Sequence, residues 1–390
     1  MGRFRKLFRF LRAVTPLGWT VVGFAALAWF AGAELGWKEM TIVAATGLML
    51  IGVAAVLTVG KLNLSSTLKV EPARVVVGER AAGSMIMRNQ SSRHSRSVRV
   101  ELPVGKSSAL FDVPRLAPDA EHDELFVVPT SRRAVIPVGP VTTVQGDPLG
   151  IIRRLRTWSD RYEIFVHPQT VLLETLAAGL MRDIEGQTTN QLTNSDIAFH
   201  TLRDYVPGDD RRHVHWKSSA KLDRLMVRQY VDTRRSHVGV LLSLDIDEYG
   251  HEDEFELAVS CAASVAVQAI RDEQTLTVIL GTEQIPAVNP KDLLDRLTRV
   301  EPRAGSGGIN ECFATARRVA NEASVTTMSV GRTPSVPDIR RAAARATLET
   351  KVVVLQCNLE GTNGYRTIGS TAFVQVSALD QLRRGIMAVM

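Results

Sequence analysis

The sequence has 390 residues, which is enough for two or three domains, and its net charge is +6. Five basic residues lie within the first twelve positions, and no later basic tract is interleaved with aromatic residues, so the charge does not indicate nucleic-acid binding. The three cysteines, Cys261, Cys312 and Cys357, form no Cys-x-x-Cys pair, which excludes a disulfide framework or a zinc ribbon. We expect buried thiols in a reducing compartment.

Two uncharged apolar runs, 17–33 and 41–59, follow a basic tail that covers residues 1–12. Each run is close to the roughly 20 residues that a helix needs to cross a bilayer. We therefore expect a transmembrane hairpin within 13–60. A cleaved signal peptide followed by one anchor is the alternative, and the second full span after a brief polar gap favours the retained hairpin.

The distribution of basic residues predicts the orientation of this hairpin. The connecting loop carries only Lys38, whereas five basic residues precede the first run and Lys61 and Lys69 follow the second. Because basic residues accumulate on the cytoplasmic side, we expect a protein of the cell membrane with two spans and with both termini in the cytoplasm.

Residues 65–170 have the pattern of a strand-rich module. Short β-favouring stretches recur between turn residues, and side chains alternate in character along several of them. The predicted strands are 74–77, 84–88, 97–102, 124–128, 134–138, 141–144 and 162–166. Such spacing favours an all-β antiparallel sandwich with a structural or binding role.

Residues 237–390 alternate between apolar strands and helices. The predicted strands are 238–244, 275–280, 325–330 and 351–356, and the predicted helices are 254–270, 290–299, 310–322, 337–348 and 379–387. This alternation predicts an α/β domain with a parallel sheet and helices on both faces. The acidic residues Asp245, Asp247 and Glu248 follow the first strand, where ligands bind in such sheets, and their carboxylates suit a divalent cation such as Mg²⁺. A solvated acidic loop is the alternative interpretation.

The segment 171–236 links these two regions and contains the densest chemistry of the chain, at 202–230. Charged and histidine side chains surround Tyr205 and Trp216 there, and a tight turn is predicted at 207–210. A structural or partner-binding network is favoured over catalysis or metal binding, because no Ser-His-Asp spacing, Walker loop or His-Glu-x-x-His is present. The residues that we expect to carry this role are Arg203, Tyr205, Pro207, Gly208, Asp209, Asp210, Arg211, His215, Trp216 and Ser219.

This motif resembles the signature of the domain-of-unknown-function family 58. Segments 139–141, 147–150 and 167–168 and the N-terminal hairpin also resemble that family, so the resemblance extends over nearly the whole chain. It implies a membrane-tethered protein with a C-terminal domain similar to a von Willebrand factor A domain. Such proteins are often encoded beside MoxR-type AAA+ ATPases and transglutaminase-like proteins, which implies a role in an assembly or chaperone system by association.

The metal site of von Willebrand A domains is degraded in this sequence. Its Asp-x-Ser-x-Ser motif corresponds to residues 245–249, where only Asp245 is kept. Ile309 takes the place of a Thr that binds the metal in those domains. Arg332 lies near the position of a later Asp of the same site. We therefore expect the usual site to be absent, with Asp245 and Asp247 as the remaining candidates for a divalent cation, and we predict no cofactor.

The leading hypothesis is a non-enzymatic membrane-anchored scaffold that binds protein partners, with a MoxR-type AAA+ ATPase as the expected partner. A metal-dependent hydrolase that uses Asp209, Asp210, His213 and His215 is the alternative. A third hypothesis is a polysaccharide- or lipid-binding module formed by the sandwich.

Overall fold

The computed structural model describes residues 13–58, 63–147, 149–173, 199–206, 209, 211–230, 237–305, 307–319, 323–345, 350–362, 364–369 and 371–389. These residues form two compact units, Met1–His167 and Pro168–Met390. The predicted basic tail lies outside the described residues.

Two apolar helices open the first unit: α1 (Pro16–Leu35) and α2 (Lys38–Thr58). Both are long and apolar enough to cross a membrane. They are in contact through small side chains, since a Cβ on Gly47 would lie 2.9 Å from the Cβ of Ala25. Large side chains such as Phe24 and Leu27 are instead about 70% exposed in the isolated chain. Small residues between helices and large apolar ones outside are typical of helices that pack in lipid.

Ten strands complete the part of the first unit that the structure describes. They are β1 (Leu64–Val70), β2 (Arg74–Val76), β3 (Ala81–Asn89), β4 (Val98–Val104), β5 (Ser107–Val113), β6 (Glu121–Val128), β7 (Ala134–Val138), β8 (Thr142–Gly146), β9 (Arg153–Thr157) and β10 (Tyr162–His167).

The ten strands form two sheets that share one hydrophobic core. One sheet has the order β1-β3-β6, and the other has the order β2-β10-β7-β4-β8-β9, with β5 paired to β4. Met85 and Met87 of the first sheet and Val100 and Leu102 of the second are completely buried in this core. All seven strands predicted in this region are present. The β2–β10 pair is parallel, so the predicted antiparallel pairing is not uniform.

The second unit begins with β11 (Phe199–Asp204), α3 (Trp216–Leu222) and β12 (Met226–Tyr230). It continues with β13 (His237–Leu242), α4 (Glu252–Arg271), β14 (Thr275–Leu280), β15 (Glu283–Ile285), α5 (Pro290–Thr298), α6 (Ile309–Val319), β16 (Val325–Val330), α7 (Val336–Ala343), β17 (Lys351–Cys357), β18 (Gly364–Ile368), β19 (Thr371–Val376) and α8 (Leu382–Val389).

β13 to β19 form a mixed sheet with the order β15-β14-β13-β16-β17-β19-β18. Five neighbouring strands are parallel, and the sequence predicts four of them. The sequence analysis missed the fifth, β19, and the antiparallel edges β15 and β18. Both faces of the sheet are covered, because Val240 packs in one core cluster and its neighbour Leu241 in another. The three cysteines are buried free thiols, as predicted.

Candidate functional site

The central motif folds as an antiparallel hairpin whose two strands are β11 and β12. Arg203 pairs in register with Val227, and Asp204 with Met226. Between the strands lie a short 3-10 helix, Arg211–His213, and then α3. Pro207, Gly208 and Asp210 lie outside the described residues, and only the backbone of Arg211 is described.

Arg203 and Asp209 form a bidentate ion pair at the base of the loop. The two guanidinium nitrogens of Arg203 donate to the two carboxylate oxygens of Asp209, each at 2.7 Å. The amide of Val206 donates to the same carboxylate at 3.0 Å. These hydrogen bonds, that from Arg203 above all, hold the pKa of Asp209 below its ordinary value. The pair closes the loop, and both oxygens are already bonded by cationic nitrogen, which weighs against their use in the hydrolase hypothesis.

His215 and Ser219 fix the start of α3. His215 is the N-cap residue, and its Nδ1 accepts the amide N–H of Ser218 at 3.2 Å. The buried hydroxyl of Ser219 donates to the carbonyl of His215 and accepts the amide of Met226 at 2.8 Å, which connects α3 to β12. His215 and Ser219 therefore organise the hairpin through hydrogen bonds.

Apolar side chains cover the outside of this hairpin. Trp216 is 66% exposed and Val206 is 56% exposed. Leu222 and Leu225, at the end of α3 and in the following turn, are also exposed. Tyr205 is half-buried, and its amide donates to the carbonyl of Leu225. The hairpin thus presents apolar groups to solvent, and two ion pairs, Arg203–Asp209 and Arg224–Asp204, join four of its charged groups.

A second candidate site lies at the carboxyl edge of the parallel sheet, where the chain order reverses between β13 and β16. The carboxylate of Asp245 accepts the amides of Asp247 and Gly305, each at 3.2 Å. Asp245 is also the N-cap of the 3-10 helix Ile246–Glu248. The Asp245 carboxylate therefore holds two loops together by backbone hydrogen bonds.

Glu248 points inward from the same loop, a role that the sequence analysis missed. One of its oxygens accepts a hydrogen bond from the hydroxyl of Ser243. The other accepts one, at 2.9 Å, from the amide of Ile309, which is the first residue of α6. Burial raises the pKa of Glu248, and these two hydrogen bonds only partly oppose that shift. Because both oxygens are occupied, Glu248 joins β13 to α6.

Arg332, at the end of β16, supplies positive charge at this edge. Its Nε lies 3.4 Å from the carboxylate of Glu254, which is only 1% exposed, and its Nη1 donates to the carboxylate of Glu360. The amide of Gly250 also donates to Glu254 at 2.8 Å. The buried charge of Glu254 is therefore compensated by an arginine.

No group of three or more His, Cys, Asp and Glu side chains is placed to hold a metal ion within the described residues. Asp245 and Asp247, the two candidate ligands, are joined by the hydrogen bond between the carboxylate of one and the amide of the other. The divalent cation stays a prediction.

Comparison with known proteins gives one family match. The family model DUF58, described as a protein of unknown function, matches residues 201–357. The matched segment begins in β11 and ends with β17, so it includes the hairpin and four of the five parallel strands. The resemblance seen in the central motif is confirmed over this range. None of the curated proteins matches the sequence significantly.

Solved structures are only distantly similar. The CARDB domain of a Pyrococcus furiosus protein, in complex with di-metal ions, is 14% identical with a TM-score of 0.22, and the match covers 27% of this chain and 92% of that domain. A domain of a putative cell surface protein from Methanosarcina acetivorans is 17% identical with a TM-score of 0.19, over 26% and 92% of the two chains. Scores of this size support no inference about function.

Proposed function

We propose that this protein is a non-enzymatic scaffold, anchored in the cell membrane by α1 and α2, whose β11–β12 hairpin binds a protein partner. The observation that carries the proposal is the exposure of apolar side chains on a hairpin whose loop is closed by an ion pair. Arg203 and Asp209 bond each other, whereas Trp216 is 66% exposed. Exposed aromatic side chains held on a rigid support are typical of protein–protein contacts.

The two apolar helices and the distribution of basic residues support the proposed placement in the membrane. The excess of basic residues on the N-terminal side of α1 and after α2 supports a cytoplasmic location for both termini. The partner is then a cytoplasmic protein. A MoxR-type AAA+ ATPase is proposed, because the DUF58 resemblance implies this association.

The topology of the second unit supports the resemblance to a von Willebrand factor A domain. Its five parallel strands have helices on both faces, and the polar groups at their carboxyl edge lie where ligands bind in such sheets. In this protein that edge carries Arg332 with two carboxylate partners. We therefore propose that partner recognition uses the apolar hairpin and does not need a bridging metal.

Affinity capture from solubilised membranes, with the MoxR-type ATPase as bait, tests the proposal. We expect recovery of the full chain, and we expect Trp216→Ala to reduce its affinity by about 30-fold or more if Trp216 is a hot spot worth about 2 kcal/mol. Val288→Ala is the matched control, since Val288 is an apolar residue of the same unit and is 82% exposed. Failure to recover the chain in every nucleotide state, or equal losses for the two variants, would contradict the proposal.

A further inference from the structure

The turn at residues 149–152, between β8 and β9, is bonded to the first turn of α1. The Thr15 hydroxyl donates to the carbonyl of Gly150 at 2.6 Å, and the Thr15 amide donates to the carbonyl of Ile151 at 3.0 Å. The amide of Arg153 donates to the carbonyl of Ala13 at 2.7 Å. The approach is close, because a Cβ on Gly18 would lie 2.4 Å from the Ile151 oxygen. The turn therefore lies beside α1 where that helix begins.

The same turn packs on α2. Ile151 and Ile152 form a small buried cluster with Ala54, and Ile51 and Ala55 pack against it. Ile51 lies five residues before Val56, the last residue of the apolar span Lys38–Val56. At 1.5 Å per helical residue, the turn therefore contacts α2 at a point about 8 Å inside the cytoplasmic end of that span. Along the helix axis, the turn thus overlaps the apolar part of α2.

The turn is held in shape by Asp147. Its buried carboxylate accepts the amide of Ile152 at 2.6 Å and that of Leu149 at 3.0 Å. Burial pushes the pKa of Asp147 upward, but the backbone amides together outweigh it, so the pKa lies below its ordinary value. Gly150 has a φ of +70°, which favours glycine at the tip. The rigid turn leaves Leu149 56% exposed in the isolated chain.

β9 follows directly and carries three arginines within four residues, Arg153, Arg154 and Arg156, together with Leu155, which is 57% exposed. Arg153 is 54% exposed and lies 3.7 Å from Glu101, a distance and an exposure at which an ion pair contributes little. Because the amide of Arg153 is bonded to Ala13, just before α1, this arginine is at the level where a spanning helix meets the headgroups.

We infer that the turn at 149–152 inserts into the cytoplasmic interface of the bilayer, with Leu149 in contact with acyl chains, and that Arg153 and Arg154 bind anionic phospholipid headgroups. This inference rests on the proposed membrane anchoring of α1 and α2. An exposed leucine in the turn, followed by arginines in β9, matches the apolar-to-anionic gradient of that interface. The β module would then be fixed to the membrane by a third point besides the two helices.

A fluorescent probe at Leu149 tests the insertion. The full chain carrying Leu149→Cys, labelled with an environment-sensitive dye, is reconstituted in vesicles of phosphatidylcholine and phosphatidylglycerol. Leu125→Cys is the matched control, because Leu125 is 74% exposed on β6, and the three native thiols are buried. We expect the probe at Leu149 to be quenched by lipid-phase quenchers and shielded from iodide, and the probe at Leu125 to show the reverse. Equal access of iodide to both would overturn the inference.

The proposed binding of headgroups by Arg153 and Arg154 is tested by measuring which lipids are enriched around the protein. Spin-labelled phosphatidylglycerol should be enriched over spin-labelled phosphatidylcholine, and each of Arg153→Gln and Arg154→Gln should lower this preference by about fivefold, which corresponds to the roughly 1 kcal/mol expected for one basic side chain near an anionic surface. Arg80→Gln is the control, an exposed arginine that precedes β3. An unchanged preference in both β9 variants would overturn the headgroup assignment.

Two further readouts separate this inference from the anchoring on which it rests. Extraction of the chain from vesicles by alkaline carbonate would refute the membrane anchor itself. A chain that resists extraction while the probe at Leu149 stays accessible to iodide would refute only the inserted turn. Shielding of that probe in native membranes, but not in lipid vesicles that contain no other protein, would indicate a protein partner and would also overturn the lipid assignment.

Discussion

Replacement of Arg332 by methionine is expected to destabilise the second unit by about 2–3 kcal/mol. Glu254 is 1% exposed, and Arg332 is the cationic partner of its carboxylate. Removal of one partner from a buried pair typically costs about 3–5 kcal/mol because the remaining charge is uncompensated. We expect a smaller loss here, since the Arg332 side chain is 34% exposed and water screens part of its charge.

Pulse proteolysis of the full chain in detergent, over a series of urea concentrations, measures this loss. Arg341→Met is the control, because Arg341 and Asp338 form a shorter ion pair, 2.6 Å, between exposed side chains of 78% and 47% exposure. Such a pair is worth about 0.2–1 kcal/mol. If burial determines the strength of these pairs, Arg332→Met must destabilise the protein more than Arg341→Met, although the Arg332–Glu254 distance is longer.

A double variant completes the test. Addition of Glu254→Gln to Arg332→Met removes the buried charge, so the double variant should be more stable than the sum of the two single losses predicts. Equal losses for Arg332→Met and Arg341→Met, or additive losses in the double variant, would refute the assignment of Arg332 as the charge partner of Glu254.

Three further variants are measured in the same way. Ser219→Ala should destabilise the hairpin by about 1–3 kcal/mol, because it leaves a buried backbone amide of β12 without an acceptor. Glu248→Gln should remove a pH dependence of stability. Because the pKa of Glu248 is raised in the folded state, that state binds the proton more tightly than the unfolded state does. Wild-type stability should therefore fall as pH rises from about 4 through the raised folded pKa, and the variant should lack this fall. Gly307→Ala should cost more than about 1 kcal/mol, since φ is +68° and the new Cβ would lie 2.4 Å from the Cα of Gly281, whereas Gly364→Ala meets no atom within 4 Å and should have almost no effect.

Regular patterns in the sequence were sufficient to predict most of the fold. Long apolar runs predicted α1 and α2, and continuous apolar strands predicted the parallel core of the mixed sheet. The two antiparallel edge strands lack such a pattern, since β18 is almost entirely exposed and β15 has only three residues. The fifth parallel strand, β19, was missed although it is mostly buried. The predicted helix at 337–348 ends earlier, at Ala343, and the one at 379–387 begins as a 3-10 turn.

The contacts of the candidate sites were harder to predict, because most of them join residues that are distant in sequence. The Arg203–Asp209 pair spans only six residues and lies within the segment where a structural or partner-binding network was predicted. Glu248 instead bonds the amide of a residue 61 positions away. No local pattern distinguishes this inward carboxylate from its acidic neighbours, so its role depends on the packing of β13 against α6.

Charge placement at the carboxyl edge explains why the apolar hairpin is the better candidate for recognition. Asp245 is bonded by backbone amides, Glu248 by a hydroxyl and an amide, and Glu254 by Arg332. A ligand that used the carboxylate of Glu248 or Glu254 would have to replace bonds to both of its oxygens, which costs about 1–3 kcal/mol for each buried group left unpaired. A partner that covers Trp216 removes exposed apolar surface and breaks none of these bonds. The free-energy balance therefore supports the proposed binding at the hairpin.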